Sequence, residues 1–309
     1  EFTPLESLGM PPVTSAAARA MEVLIRLRGS KKLYGSPERV RAHIEDLRIR
    51  PASFGPPPKL DKHVDISISY RDGWPIYLVK PRTGTTTRRA IYTHGGAWIH
   101  EIVGFHWRFI AELAMRANCE VTVPIYPLVP FGSAAQVVPV IADLAAELVA
   151  ESGVNNVSLI GDSAGATISL SAAQVLSARG IEGPRLILIS PSLDLTFSNP
   201  RIAQIDPTDP WLDVPGLKVA IEQWWGDVPI DDPIVSPFFG DLRGLGPIMI
   251  LTSTRDITNA DAHAFVHKAK QQGVDVTLSE ANGMIHVYPL LPIPEAKPAR
   301  TAIIEAVTG

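Results

Sequence analysis

The chain has 309 residues, 46% of them hydrophobic and 19% charged, with a formal net charge of -4. This length buries a large core, as one domain with additions or as two smaller ones, and the composition is that of a globular protein rather than a disordered one. The mild acidity, without a Lys/Arg cluster beside an apolar stretch, sets aside nucleic-acid and anionic-membrane partners. No run approaches the roughly 18 apolar residues that span a bilayer, so no stable membrane insertion is expected. The start, Glu1-Phe2-Thr3-Pro4, has neither a basic n-region nor an apolar h-region. Cytoplasm is therefore the expected compartment, and the missing initiator Met leaves a removed signal open. The single cysteine, Cys119, cannot form an intramolecular disulfide and reads as a small buried residue at a strand edge.

In chain order, Thr14 to Leu27 reads as an amphipathic helix, and Ser36-Pro37-Glu38 opens a second that runs to about Arg50. The Pro-rich run Pro51 to Pro58 then breaks the chain, so residues 1–58 read as a helical appendage, open to service as a lid, joined to a core of residues 59–309. Val64 to Tyr70 alternates with period two, Asp72-Gly73 signals a turn, and Ile76 to Val79 is a partner strand. Short apolar runs follow at Ala90–Tyr92, Val121–Tyr126, Val157–Ile160, Leu186–Ile189, Ile248–Leu251 and Val276–Leu278. Helical patterns separate them at about 105–118, 136–151, 164–180 and 260–272. Strands alternating with helices predict an α/β fold with a mostly parallel sheet flanked by helices. Ligands of such sheets sit beyond the carboxyl ends of the strands. The segment at about 196–236, rich in Trp, Pro and acids and with a helix predicted over Val214–Trp225, interrupts the alternation. With residues 1–58 it would form a helical cap.

Gly161-Asp162-Ser163-Ala164-Gly165 matches the G-x-S-x-G nucleophile elbow, with a buried strand before it and a helix after it. Such a turn holds Ser163 in a strained conformation with its hydroxyl projecting over a helix N-terminus. Acyl transfer also needs backbone N–H donors aimed at the developing oxyanion. His94-Gly95-Gly96-Ala97 follows a strand about 70 residues earlier. It nominates Gly95 and Gly96 as donors, joined by the N–H of Ala164. Hydrolases of this fold run in the order Ser, acid, His. His286 is the only histidine after Asp256 on a predicted loop. Asp256 follows a strand, whereas Asp194, Asp206, Asp209 and Asp213 are weaker rivals at or in the presumed insertion, and Asp261 reads as a helix-terminus acid.

These residues resemble the hormone-sensitive-lipase family of esterases, over roughly residues 60–308. The resemblance is carried by His94-Gly95-Gly96, Tyr126 with Pro130, Gly161 to Gly165, Ser190-Pro191 with Asp194-Leu195, Ser236-Pro237, and the late Asp256 and His286. Three positions depart from it: Ala97 and Ala166 stand where the family usually has Gly, and Pro127 and Phe131 replace its usual Arg and acid. The resemblance implies an α/β-hydrolase fold with a helical cap and a catalytic set of Ser163, Asp256 and His286. It also implies a cofactor-free carboxylic ester hydrolase that works through an acyl-enzyme on short to medium acyl chains. Lactones and acetylated natural products stay open as substrates. The alternatives are an amidase of the aryl-formamidase kind and a non-catalytic small-molecule receptor on this scaffold. Trp98, Trp211 and Trp224 are candidates for the substrate pocket, and His100 and His106 for a cap entrance. His263 and His267 have a zinc-like spacing, but no third ligand is evident, so no metal is expected. The expected partner is a small-molecule ester, and a homodimer is compatible with the sequence.

Overall fold

In the computed structural model, which describes residues 14–309, the chain opens with α1 (Ala16–Arg28), α2 (Ser30–Tyr34) and α3 (Pro37–Ile49). The Glu1-Phe2-Thr3-Pro4 start lies outside the described residues. Ser15 caps α1 by accepting the Ala18 N–H at 3.1 Å, and Ser36 caps α3 with Pro37 in its first turn. There follow β1 (Val64–Arg71), β2 (Trp74–Pro81), β3 (Arg89–Thr93), α4 (Gly104–Ala117), β4 (Glu120–Pro124), α5 (Ala134–Ser152), β5 (Val157–Asp162), α6 (Ala164–Ala178) and β6 (Arg185–Ile189). An insertion carrying α7 (Ile202–Ile205) and α8 (Val214–Trp225) precedes β7 (Ile248–Arg255), α9 (Asn259–Gln271), β8 (Val276–Ile285) and α10 (Ala296–Thr308).

The strands form one eight-stranded sheet in the order β1-β2-β4-β3-β5-β6-β7-β8. Only the β1–β2 and β2–β4 pairings are antiparallel. Such a sheet needs cover on both faces, which is why its inner strands are apolar almost throughout. On one face Val137, Ile141, Ile168, Leu170 and Phe265 pack from α5, α6 and α9. On the other, Trp107, Ile110, Leu113 and Ile303 pack from α4 and α10. Cys119 lies buried just before β4, and burial pushes its thiol up to about 12, so it is inert as a nucleophile.

The last strand runs well past the predicted Val276–Leu278. Thr277, Ser279 and Glu280 hide it from an apolar-run reading, because one side of this edge strand is polar and partly exposed. Its extra length matters for the site. A bulge lies between Ser253↔Ala281 and Arg255↔Ile285 in the β7–β8 register, with Gly283 in the left-handed region at φ 74°. Asp256 and His286 are the next residue on each chain, so the bulge brings them side by side.

The N-terminal helices and the insertion pack on each other beyond the carboxyl ends of the strands. Gly216 in α8 lies so close to Tyr34 that a Cβ would stand 2.3 Å from the Tyr34 carbonyl oxygen. Lys31 bonds the Asp206 side chain and lies 3.6 Å from Asp213. Helix α1 is tied at two points, to the start of α10 and to the end of β7. Glu295 accepts the Ser15 N–H at 2.6 Å, and Arg255 donates two 2.7 Å hydrogen bonds to Glu22. Arg255 holds the Glu22 carboxyl down at about 2, against the cost of partial burial. A depressed carboxyl contributes its stabilisation above its ordinary pKa and loses it as pH falls toward the folded value. Amide protection factors in α1, relative to the intrinsic exchange rate at each pH, should therefore fall selectively on acidification toward pH 2, and in Glu22→Gln already at neutral pH. Equal α1 protection in the variant and wild type would show the tie to be idle.

Among the described residues, no helix is long and apolar enough to cross a membrane.

Candidate active site

Strand β5 delivers Asp162, and α6 begins at Ala164, leaving Ser163 at the corner with φ 51° and ψ -119°. The flanking glycines make this corner possible. A Cβ on Gly161 would stand 2.4 Å from the Gly165 carbonyl oxygen, and one on Gly165 would stand 2.0 Å from that of Thr93. The close approach of the start of α6 to both β5 and β3 thus excludes any side chain at either position.

His286 leaves the end of β8 with its Nε2 2.9 Å from Ser163 Oγ and its Nδ1 2.9 Å from Asp256 Oδ2. All three groups are buried. The Asp256 carboxylate can only accept, so Nδ1 carries the proton and Nε2 is left as the acceptor for the serine hydroxyl. Thr258 steadies Asp256 Oδ1 through its N–H at 3.0 Å and its hydroxyl at 2.8 Å, and Ser190 Oγ accepts the Val287 N–H at 3.0 Å. Burial works against charging His286, but the field and hydrogen bond of Asp256 outweigh it and raise the imidazole pKa above 6.5. Burial likewise opposes ionisation of Asp256, yet His286 and the Thr258 N–H leave its carboxyl below the ordinary range.

The loop after β3 corrects one expectation. The Gly95 N–H donates to Asp162 Oδ1 at 3.0 Å, so it is spent inside the protein and is not free for an oxyanion. Gly95 must be glycine for that approach, since a Cβ would lie 2.3 Å from Asp162 Oδ2. The loop then turns through positive φ at Gly96, Ala97 and Trp98 (124°, 52° and 59°). The N–H groups of Gly96 and Ala97 have no acceptor within the described residues, and Ala164, as the first helical residue, has none within its helix. Gly96, Ala97 and Ala164 thus each keep a backbone N–H with no acceptor among the described residues.

Asp162 fills the unspecified second position of the elbow motif, to which the motif assigns no role. It is a buried carboxylate that gathers the Tyr92 hydroxyl at 2.6 Å, the Gly95 N–H, and His106 Nε2 at 3.3 Å. His106 Nδ1 accepts the Val103 N–H, so its Nε2 carries the proton toward Asp162. Burial penalises the charge on Asp162, but these partners hold its pKa below the ordinary value. A charged residue on a strand buried along its whole length was the signal available in sequence. His94 stacks on Tyr126 at 4.5 Å, and burial depresses its pKa to about 4, leaving a neutral ring.

Ser163 and His286 open on a cavity of about 400 Å³. Its walls are mostly apolar, from Leu24, Ile25, Leu217, Ile221 and Leu290, with His43 and His100 as a polar patch. Those two imidazoles meet at 2.9 Å, joining α3 to the loop behind Gly96. Trp98 and Trp211 line the cavity, and the Trp211 ring stands edge-on to His286. Trp224 does not line it: the ring is fully buried behind Trp98, stacked on it at 5.4 Å. Of the weaker acids, Asp194 holds a local turn, Asp206 and Asp213 face Lys31, and Asp261 is buried beside Asn199. Asp209, by contrast, lies buried against the Asp256 loop. His263 pairs with Glu280 at 2.6 Å on a partly exposed helix face.

Residues 90–290 match the family described by its α/β-hydrolase fold. A triacylglycerol lipase of Mycobacterium tuberculosis is 33% identical over 239 residues, 76% of this chain, and the chain spans 50% of that protein's length. An esterase of Acinetobacter venetianus is 31% identical over 73% of this chain and 76% of its own. The crystal structure of an esterase from the bacterial hormone-sensitive-lipase family shares the fold, with TM-score 0.79 at 22% identity over 96% of this chain and 98% of that one. The chain belongs to the α/β-hydrolase fold family, among its esterase- and lipase-like members.

Proposed function

We propose that the chain hydrolyses carboxylic esters of short to medium acyl chains through an acyl-enzyme on Ser163. The observation that carries this reading is the chain of two 2.9 Å contacts, Ser163 to His286 to Asp256, opening on the cavity. A serine hydroxyl attacks a carbonyl only when a base removes its proton. His286 Nε2 would take that proton as Oγ bonds the carbonyl carbon. The tetrahedral oxyanion would then sit against the N–H groups of Gly96, Ala97 and Ala164. On collapse, His286 returns the proton to the departing alkoxide, and a water activated by the same imidazole frees the acid. Asp256 keeps the imidazole in the right tautomer and stabilises its charged form. The cavity, about 400 Å³, lies toward the small end of small-molecule sites, which favours compact esters over long lipid chains.

The test is hydrolysis of p-nitrophenyl acetate, butyrate, octanoate and palmitate beside matched anilides. Turnover of acetate through octanoate, with palmitate and the anilides poor, is expected. Faster anilide cleavage would favour an amidase, and saturable binding without turnover would favour a receptor. Because neutral His286 is the base and its pKa is raised above 6.5, kcat/KM should fall as pH drops through a value above 6.5. A flat profile down to pH 5 would remove His286 from the mechanism.

A further inference from the structure

We infer that Asp209, contributed by the insertion and not by the sheet, is a positioning residue for the Asp256–His286 pair. The inference rests on the ester-hydrolase reading above. Asp209 is 1% exposed, and its carboxylate collects three backbone N–H groups from two separate stretches of chain. Oδ1 accepts from Trp211 at 2.8 Å and Leu212 at 2.9 Å, and Oδ2 accepts from Ile257 at 3.1 Å. Ile257 directly follows Asp256, so one end of the carboxylate clamps the loop that presents the acid. The other end clamps the turn whose Trp211 ring stands against the His286 ring, with centroids 6.1 Å apart at 82°. Both members of the pair are thus held from outside the sheet by one side chain.

Neutral Asn or Ser could close the Trp211–Leu212 turn without burying a charge. What a carboxylate adds is negative charge near an imidazole that becomes positive during each half-reaction. The charged and titratable groups that face Asp209 are Asp256, His286 and Arg255. Burial, reinforced by the charge on Asp256, raises the Asp209 carboxyl to about 6, so above that pH it carries the charge that supports imidazolium.

The test is Asp209→Asn, which keeps the shape and removes the charge. On p-nitrophenyl butyrate, kcat should fall about tenfold with KM within about twofold, because the substrate does not touch Asp209. The acid limb of kcat/KM should move to lower pH by roughly half a unit, since His286 loses a favourable charge. A plain structural strut would lower the melting temperature and leave that limb in place. Wild-type kcat in the variant, or an unmoved acid limb, overturns the inference. If Asp209→Asn does not fold, Asp209→Ser decides it: it too can close the Trp211–Leu212 turn without the charge, so the acid limb should again move to lower pH, and an unmoved limb is refutation. Titration of the His286 imidazole proton by NMR reads the same shift without turnover. A wild type inert toward every ester would therefore defeat the ester reading while the NMR comparison still judged Asp209.

Discussion

Ser163→Ala should leave a folded protein whose turnover of p-nitrophenyl butyrate is lower by about 10⁴-fold or more. The loss is large because no other group can bond the carbonyl carbon at that corner, and His286 Nε2 is left with no hydroxyl to deprotonate. The fold should survive because Ser163 Oγ bonds only His286 among the described residues. The corner is held instead by the backbone bond from the Ser163 N–H to the Ile189 carbonyl at 2.8 Å. Alanine fits the same φ of 51° no worse than serine does. Residual rate would come from the Gly96, Ala97 and Ala164 N–H groups alone. Stopped-flow kinetics should lose the acyl-enzyme burst while circular dichroism and melting temperature stay within error. A variant that retains a burst would place the acyl group elsewhere.

Asp162→Ala should cost both stability and rate. It strips the acceptor from the Tyr92 hydroxyl, the Gly95 N–H and His106 Nε2 at once, all in a buried setting. Leaving partners of a buried charge unpaired costs about 3–5 kcal/mol, and in a chain of this size that lowers the melting temperature by roughly 10 °C. The rate falls for a separate reason. Gly95 is the anchor from which the loop turns toward Gly96 and Ala97, so losing it should blur two of the three proposed oxyanion donors, at a cost of about 10²–10³-fold in kcat. Asp162→Asn, which keeps one acceptor oxygen, should lose less stability than Asp162→Ala but still lose rate. Thermal melts and kcat within twofold of wild type for both variants would show that Asp162 does not support the loop.

The elements and the elbow were legible in the chain because they are local facts. Period-two alternation marked β1, apolar runs marked β3 to β7, and the glycines around Ser163 announced a corner that no side chain could turn. Helix α8 spans Val214–Trp225 as predicted, and α1 and α3 begin within two residues of the predicted starts at Thr14 and Ser36. Other features needed contacts between distant residues. Periodicity reports that a residue is buried but not what it is buried against, so Trp224 read as a pocket candidate and folded in behind Trp98. A Gly-Gly pair reports backbone freedom but not the direction of each N–H, so the donor assignment shifted by one residue once Asp162 claimed Gly95. The full length of β8 and its bulge depend on pairing with β7, which no window of β8 alone contains. Asp209 looked like one acid among several in a loop. Its burial beside Asp256, 47 residues away, arises only when the insertion folds back over the sheet, because a carboxylate's partners are chosen by the tertiary path of the chain and not by its neighbours in sequence.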